Sequence, residues 1–151
     1  MSRLDYCNSL LFGTPKSCTG RLQKLQNRAA RLVTKTPIRV NITPVLKDLH
    51  CLPIEKRIEF KIACIVFNCI HGISPCYLKS LVNLYNPPRT LRSSSSVLLE
   101  STLTRTKFLE RSFSHSAPRI WNSLSPTTRN TQNLSCFKKY LKTELFRKVY
   151  C

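Results

Sequence analysis

Carboxylates are what this chain has least of. Two aspartates, Asp5 and Asp48, and five glutamates face 25 lysines and arginines in 151 residues. A polymerase or nuclease that works through two metal ions needs clustered acids to hold them. Neither aspartate has an acidic near neighbour. Glu55 and Glu59, one helical turn apart, are interleaved with Lys56, Arg57 and Lys61, a pattern of structural ion pairing. The chain on its own is therefore expected to have no two-metal activity. Glycine is nearly as scarce: Gly13, Gly20 and Gly72 are scattered, whereas a phosphate-cradling loop needs them clustered. His50, His71 and His115 sit in ordinary helical or helix-edge contexts, so nothing points to Ser-His-Asp catalysis. Long apolar runs are missing too. The best, Ile62 to Ile70, is broken by Asn68 and falls short of the roughly 20 residues that span a membrane.

The first residues, MSRLDYCNSLLFG, contain Asp5 and lack the long apolar region of a secretory signal. The eight cysteines accordingly read as reduced thiols rather than a disulfide scaffold, two of them (Cys64 and Cys69) inside the apolar run. The expected location is intracellular, nuclear or cytoplasmic, and not secreted.

What the chain has in abundance is positive charge. The formal net charge of +18 is tolerated most easily beside a polyanion, which makes nucleic acid the leading partner. The charge is uneven: residues 1–50 carry a net +7, 51–100 a net +3 and 101–151 a net +8. Basic ends flank a core-forming middle.

That middle holds the organising element, residues 53–71. Ile54, Ile58 and Ile62 fall at helical spacing with charged residues between them, and the following residues are apolar all round. Such a helix starts at a surface and ends enclosed by neighbours. Pro53 suits its first turn and Gly72 the left-handed position just past its end. The predicted class is mainly α, a compact array of short helices around this rod. Residues 2–12 read as a short helix ended by Gly13-Thr14-Pro15. Thr19 is expected to cap a second helix running to about Thr34, whose Leu22, Leu25, Ala29, Leu32 and Val33 share the face meant for the core. Thr43-Pro44 and Ser74-Pro75 open two short helices. Ser112–Leu124 reads as a helix with Pro118 near its first turn, and Asn133–Tyr150 as the last, burying Leu134, Phe137, Leu141 and Leu145. Between them, 86–96 is loop or linker and 97–108 suggests a small β-ribbon. Three regions follow: 1–85, 86–110 and 111–151. There is no internal repeat.

On the second helix, Arg21, Lys24, Arg28, Arg31 and Lys35 occupy an arc of roughly 80°. A row of one sign at that spacing reads as a solvated face or as a set of contacts to successive phosphates. Lys138, Lys139 and Lys142 on the last helix form a second basic patch. The spacing from His71 to Cys76 equals the second half of a zinc knuckle, making Cys69, His71 and Cys76 weak metal candidates. Cys64 and Cys69, five apart on a helix, do not supply the Cys-x-x-Cys turn of the first half. No cofactor is expected.

Several phrases in order, SRLDYCNSLL (2–11), LQNRAARLVT (25–34), ITPVLKDLHCLPIEKRIEFKI (42–62), HGISPCYL (71–78), LRSS (91–94), RSFSHSAPRIWNSL (111–124) and FKKYLKTELF (137–146), resemble the segment that follows the palm in reverse transcriptases of non-LTR (LINE-type) retrotransposons. The resemblance implies that 1–85 corresponds to the helical thumb and that the rest is a C-terminal extension. It also implies that fingers, palm and the metal-binding aspartates lie on polypeptide outside this sequence, so no catalytic residue carries over. The expected function is a non-catalytic fragment that grips RNA or an RNA-DNA duplex through basic helix faces, with the upstream polymerase domain as a further partner and no membrane. A protein-interaction or assembly segment and a small zinc module are the alternatives.

Overall fold

The computed structural model describes residues 2–86, 97–106 and 108–151. Its helices follow the chain as α1 (Ser2–Asp5), a 3-10 turn (Asn8–Leu11), α2 (Lys16–Thr34), α3 (Ile42–Asp48), α4 (Ile54–Ile70), α5 (Cys76–Lys79), a second 3-10 turn (Leu109–Arg111), α6 (Phe113–Asn122), α7 (Pro126–Arg129) and α8 (Leu134–Tyr150). The mainly helical class is as the periodicity dictates, and α4 is its centre.

Pro53 caps α4 from one position outside the helix, its carbonyl accepting the first helical bond from the Arg57 amide at 2.9 Å. At the other end Gly72 takes φ +72°. Its amide donates to the Cys69 carbonyl and that of Ile73 to the Asn68 carbonyl, the paired closure that a left-handed residue makes possible. Between these ends Ile54, Ile58, Ile62, Ala63, Cys64, Val66, Phe67 and Cys69 are buried. They meet Ala117, Ile120 and Trp121 of α6 and Phe137, Leu141 and Leu145 of α8 in one apolar cluster. Regions 1–85 and 111–151 thus share a core. Its centre is a ladder of rings, Phe67 on Phe137 at 4.5 Å and Phe137 on Trp121 at 5.7 Å, offset contacts that add to the burial itself. The Trp121 indole nitrogen is satisfied by the Val97 carbonyl at 2.9 Å.

Several local expectations need correction. The first helix breaks in two at Cys7, whose φ of 50° ends α1. α2 begins at Lys16 behind Pro15, and Thr19, expected as its cap, is a buried residue inside it whose hydroxyl donates to the Lys16 carbonyl. The cap of α3 is Asn41, which accepts from the Thr43 amide at 3.0 Å; the oxygen that does this lies two residues before Thr43. Pro118 sits well inside α6 rather than in its first turn. There its ring fills core space that offsets the missing helical bond.

Among the described residues 97–108 form no ribbon. Leu99 instead makes a single antiparallel bridge with Leu84, flanked by the Tyr85 amide on Leu98 and the Glu100 amide on Asn83. The other edge of Leu99 is taken by the Asn122 side chain, which accepts from its amide at 3.0 Å and donates to its carbonyl at 2.9 Å. A side-chain amide has replaced the second strand. Lys107 and most of the expected 86–96 linker, residues 87–96, lie outside the described residues.

The largest departure is the setting of α2. Of its expected core face only Leu22 packs against the core; Leu25, Leu32 and Val33 are 54%, 81% and 73% exposed. The buried positions are Thr19, Gln26 and Ala30, which turns the helix by roughly 80° about its axis from the orientation its leucines favour. Gln23 and Gln26 explain the turn. Gln23 accepts from the amide of Ile54 at 2.9 Å, and Gln26 donates to the carbonyl of Leu52 at 2.8 Å. The first α4 amides have no partner within their own helix, and α2 presents glutamines to the backbone there.

Candidate nucleic-acid interface

The turn of α2 decides what its basic row can do. Arg21, Lys24, Arg28 and Lys35 are exposed, and the ion pairs among the described residues, Lys56–Glu59, Arg57–Asp5 and Lys148–Glu144, involve none of them. Arg31 is different. Its guanidinium folds onto the loop that follows, donating to the carbonyls of Pro37 and Val40. It shapes the α2–α3 connection and is removed from the candidate contacts. Lys35 ends the helix in the left-handed region, φ 52°.

The second patch is assembled by α8 against α4. Lys138, Lys139 and Lys142 are exposed, and α4 adds the exposed Lys61, one of the cations interleaved with Glu55 and Glu59. The signal was its position seven residues after Ile54 on the helix that α8 packs against. Two observations place Lys61 with the α8 lysines. Lys61 and Lys142 line one cleft of about 530 Å³, and Lys61 and Lys138 both act electrostatically on the Cys64 thiol. Burial pushes that thiol up to about 11, against the pull of the two lysines. At neutral pH it stays protonated and unreactive.

The far wall of this cleft is the α3–α4 connection, residues 49–52. His50 holds φ 50°, the amides of His50 and Cys51 close α3 on Lys47 and Leu46, and the Tyr150 hydroxyl donates to the Cys51 carbonyl at 2.8 Å. His50 also stacks on Phe146 at 5.6 Å. The connection is thereby tied to α8, which carries Lys142.

One carboxylate, Asp5, lies in this cleft, engaged by Arg57; three others lie apart. Glu55, Glu59 and Glu110 line a separate cleft with Lys16, Arg111 and Arg119, and Arg119 lies over the Phe12 ring at 5.9 Å. Glu144 has a structural task. It accepts from the Ser125 amide and hydroxyl, from Thr128 and from Lys148. Burial alone raises its pKa, but these donors and the Lys148 charge outweigh it and hold the carboxyl below its ordinary value.

The metal candidates are not brought together. Cys69 is buried, Cys76 is exposed, and the His71 ring stacks on Phe67 at 3.9 Å with its Nδ1 at 2.9 Å from the Phe67 carbonyl. Among the described residues no group of three or more His, Cys, Asp or Glu side chains could hold a metal ion. Likewise no helix among them is long and apolar enough to cross a membrane.

No protein-family model, curated protein or solved structure matches the chain. Chemically, the two basic faces offer what a polyanion needs: exposed cations on helices, with no carboxylate paired to them among the described residues.

Proposed function

We propose that the chain is a non-catalytic C-terminal module of a reverse transcriptase of the non-LTR type, which grips RNA or an RNA-DNA duplex by its backbone. Arg21, Lys24, Arg28 and Lys35 form one contact row; Lys61, Lys138, Lys139 and Lys142 form the other. The observation that carries the reading is that these cations stay exposed, with no ion pair among the described residues, on helices held by one core. A face selected only for solubility would mix the signs. Contacts of this kind fix position and read no sequence.

The test is a titration of the chain against a labelled RNA-DNA hybrid and a second hybrid of scrambled sequence at several salt concentrations. Equal affinity for the two is expected, with log Kd rising about 0.7 to 0.9 per log salt for each phosphate contacted. Affinity indifferent to salt would reject the reading.

A second reading is favoured by the exposed apolar line on α2. Leu25, Leu32 and Val33, with Ile38 at 87% exposure, have no use in holding phosphates. They suit a protein neighbour such as the upstream polymerase domain, and the two readings are compatible because the apolar line and the basic row occupy adjacent arcs of α2.

A further inference from the structure

We propose that the cleft between α4, α8 and the α3–α4 connection receives one unpaired nucleotide at the end of a bound strand. The proposal rests on the nucleic-acid reading and sharpens it by giving the second basic patch a defined occupant.

The cleft of about 530 Å³ lies within the range of roughly 300–1,000 Å³ typical of small-molecule sites. Three kinds of surface meet in it. Leu49, Leu52 and Phe60 supply apolar and aromatic wall, and Lys61 and Lys142 supply exposed cations. Asn8 supplies a side-chain amide that is 3% exposed, with its Oδ1 unpartnered among the described residues. The carboxylate in the lining, Asp5, is engaged by Arg57, whose Nε donates to it at 2.8 Å, so its charge is offset and does not repel an anion. A nucleotide answers each feature: a base has a π-face for Phe60, donors on its edge for an orphaned acceptor, and a phosphate for the two lysines. A fatty chain has no donor edge, and a small inorganic anion has no face. A base inside a duplex is stacked on both sides, so only an unpaired one can enter.

The experiment measures binding of the full chain to three RNA-DNA hybrids that differ at one end: blunt, with one unpaired nucleotide, and with one abasic nucleotide. The normal overhang should bind about tenfold tighter than the abasic one, the scale of a single base stacked on an aromatic ring. Asn8→Leu, which removes the amide, should abolish that ratio while leaving affinity for the blunt hybrid unchanged. Phe60→Leu keeps the apolar wall without the π-face and gives the same readout if Asn8→Leu loses helicity. Equal binding of the normal and abasic overhangs would overturn the cleft assignment alone, as would a ratio that survives both substitutions. Failure to bind even the blunt hybrid would overturn the backbone-grip reading and this one with it. A free nucleoside monophosphate is the second arm. If it binds with the same sensitivity to Asn8→Leu while the overhang adds nothing, the cleft is a mononucleotide site and the strand-end assignment falls.

Discussion

Gln26 donates its side-chain amide to the main-chain carbonyl of Leu52 at 2.8 Å, fully buried, while Leu32 on the same helix is 81% exposed. The polar residue is inside and the leucine outside. A buried carbonyl left without a donor costs about 1–3 kcal/mol, whereas an apolar side chain on the surface gains nothing from the core.

The two positions should therefore respond in the reverse of their hydropathy. Gln26→Met keeps the volume and loses the donor, and is expected to destabilise the fold by about 1–3 kcal/mol in urea denaturation. Leu32→Ala is expected to stay within about 0.5 kcal/mol of the parent. The opposite order would mean that α2 packs by its leucines.

Glu144 makes stability depend on acid in a defined window. Its carboxyl is held below the ordinary 4.5 because the hydrogen bonds from Lys148, Thr128 and Ser125 outweigh the upward push of burial. A depressed folded value means that the contribution is complete above the unfolded pKa and disappears as pH falls through the folded one. Glu144→Gln should cost about 1 kcal/mol at neutral pH, less than a fully buried charged hydrogen bond because solvent reaches the site. The parent and variant denaturation curves should converge below pH 4.5. A gap that stays constant with pH would remove the ionised carboxylate from the network.

Thiol chemistry separates the cysteines by environment. Cys7, Cys18, Cys76, Cys136 and Cys151 are exposed, and Cys64 and Cys69 are buried. Brief alkylation of the native chain at neutral pH should label the exposed set and spare Cys64 and Cys69, with all eight labelled in denaturant. Since Cys69 is enclosed and the His71 ring is occupied by Phe67, a chelator should leave helicity unchanged. Rapid native labelling of Cys64, or chelator-induced unfolding, would contradict the packing of α4.

Asn122 holds Leu99 by both its main-chain groups. Asn122→Ala should cost about 1–3 kcal/mol and speed hydrogen exchange at the Leu99 amide. Unchanged protection there would contradict the clamp, because the bridge to Leu84 engages the amides of Tyr85 and Glu100 and not that of Leu99.

The sequence makes the α4 rod legible because its pattern is redundant: three isoleucines at helical spacing, an apolar second half, and proline and glycine at its ends all point the same way. α8 is legible for the same reason. The setting of α2 is not, because the residues that orient it act on a partner 26 residues away in the chain, and a glutamine facing a distant carbonyl looks like any surface glutamine in a linear reading. The Asn122 clamp escapes notice likewise: threonines and leucines in alternation suggest a second strand, and only the fold shows that a side chain takes its place. At the candidate site the basic arc follows from helical spacing alone. The removal of Arg31 and the arrival of Lys61 depend on a loop and on helix packing, which spacing does not encode.

The central claim is that the α2 row meets phosphates. The direct measurement is the salt dependence of RNA-DNA hybrid affinity for the parent chain and for Arg21→Glu, Lys24→Glu and Arg28→Glu combined, with Arg31 untouched so that the loop it holds stays folded. Weaker binding and a log-log slope shallower by about two to three are expected, with helicity retained. An unchanged affinity and an unchanged slope would contradict it.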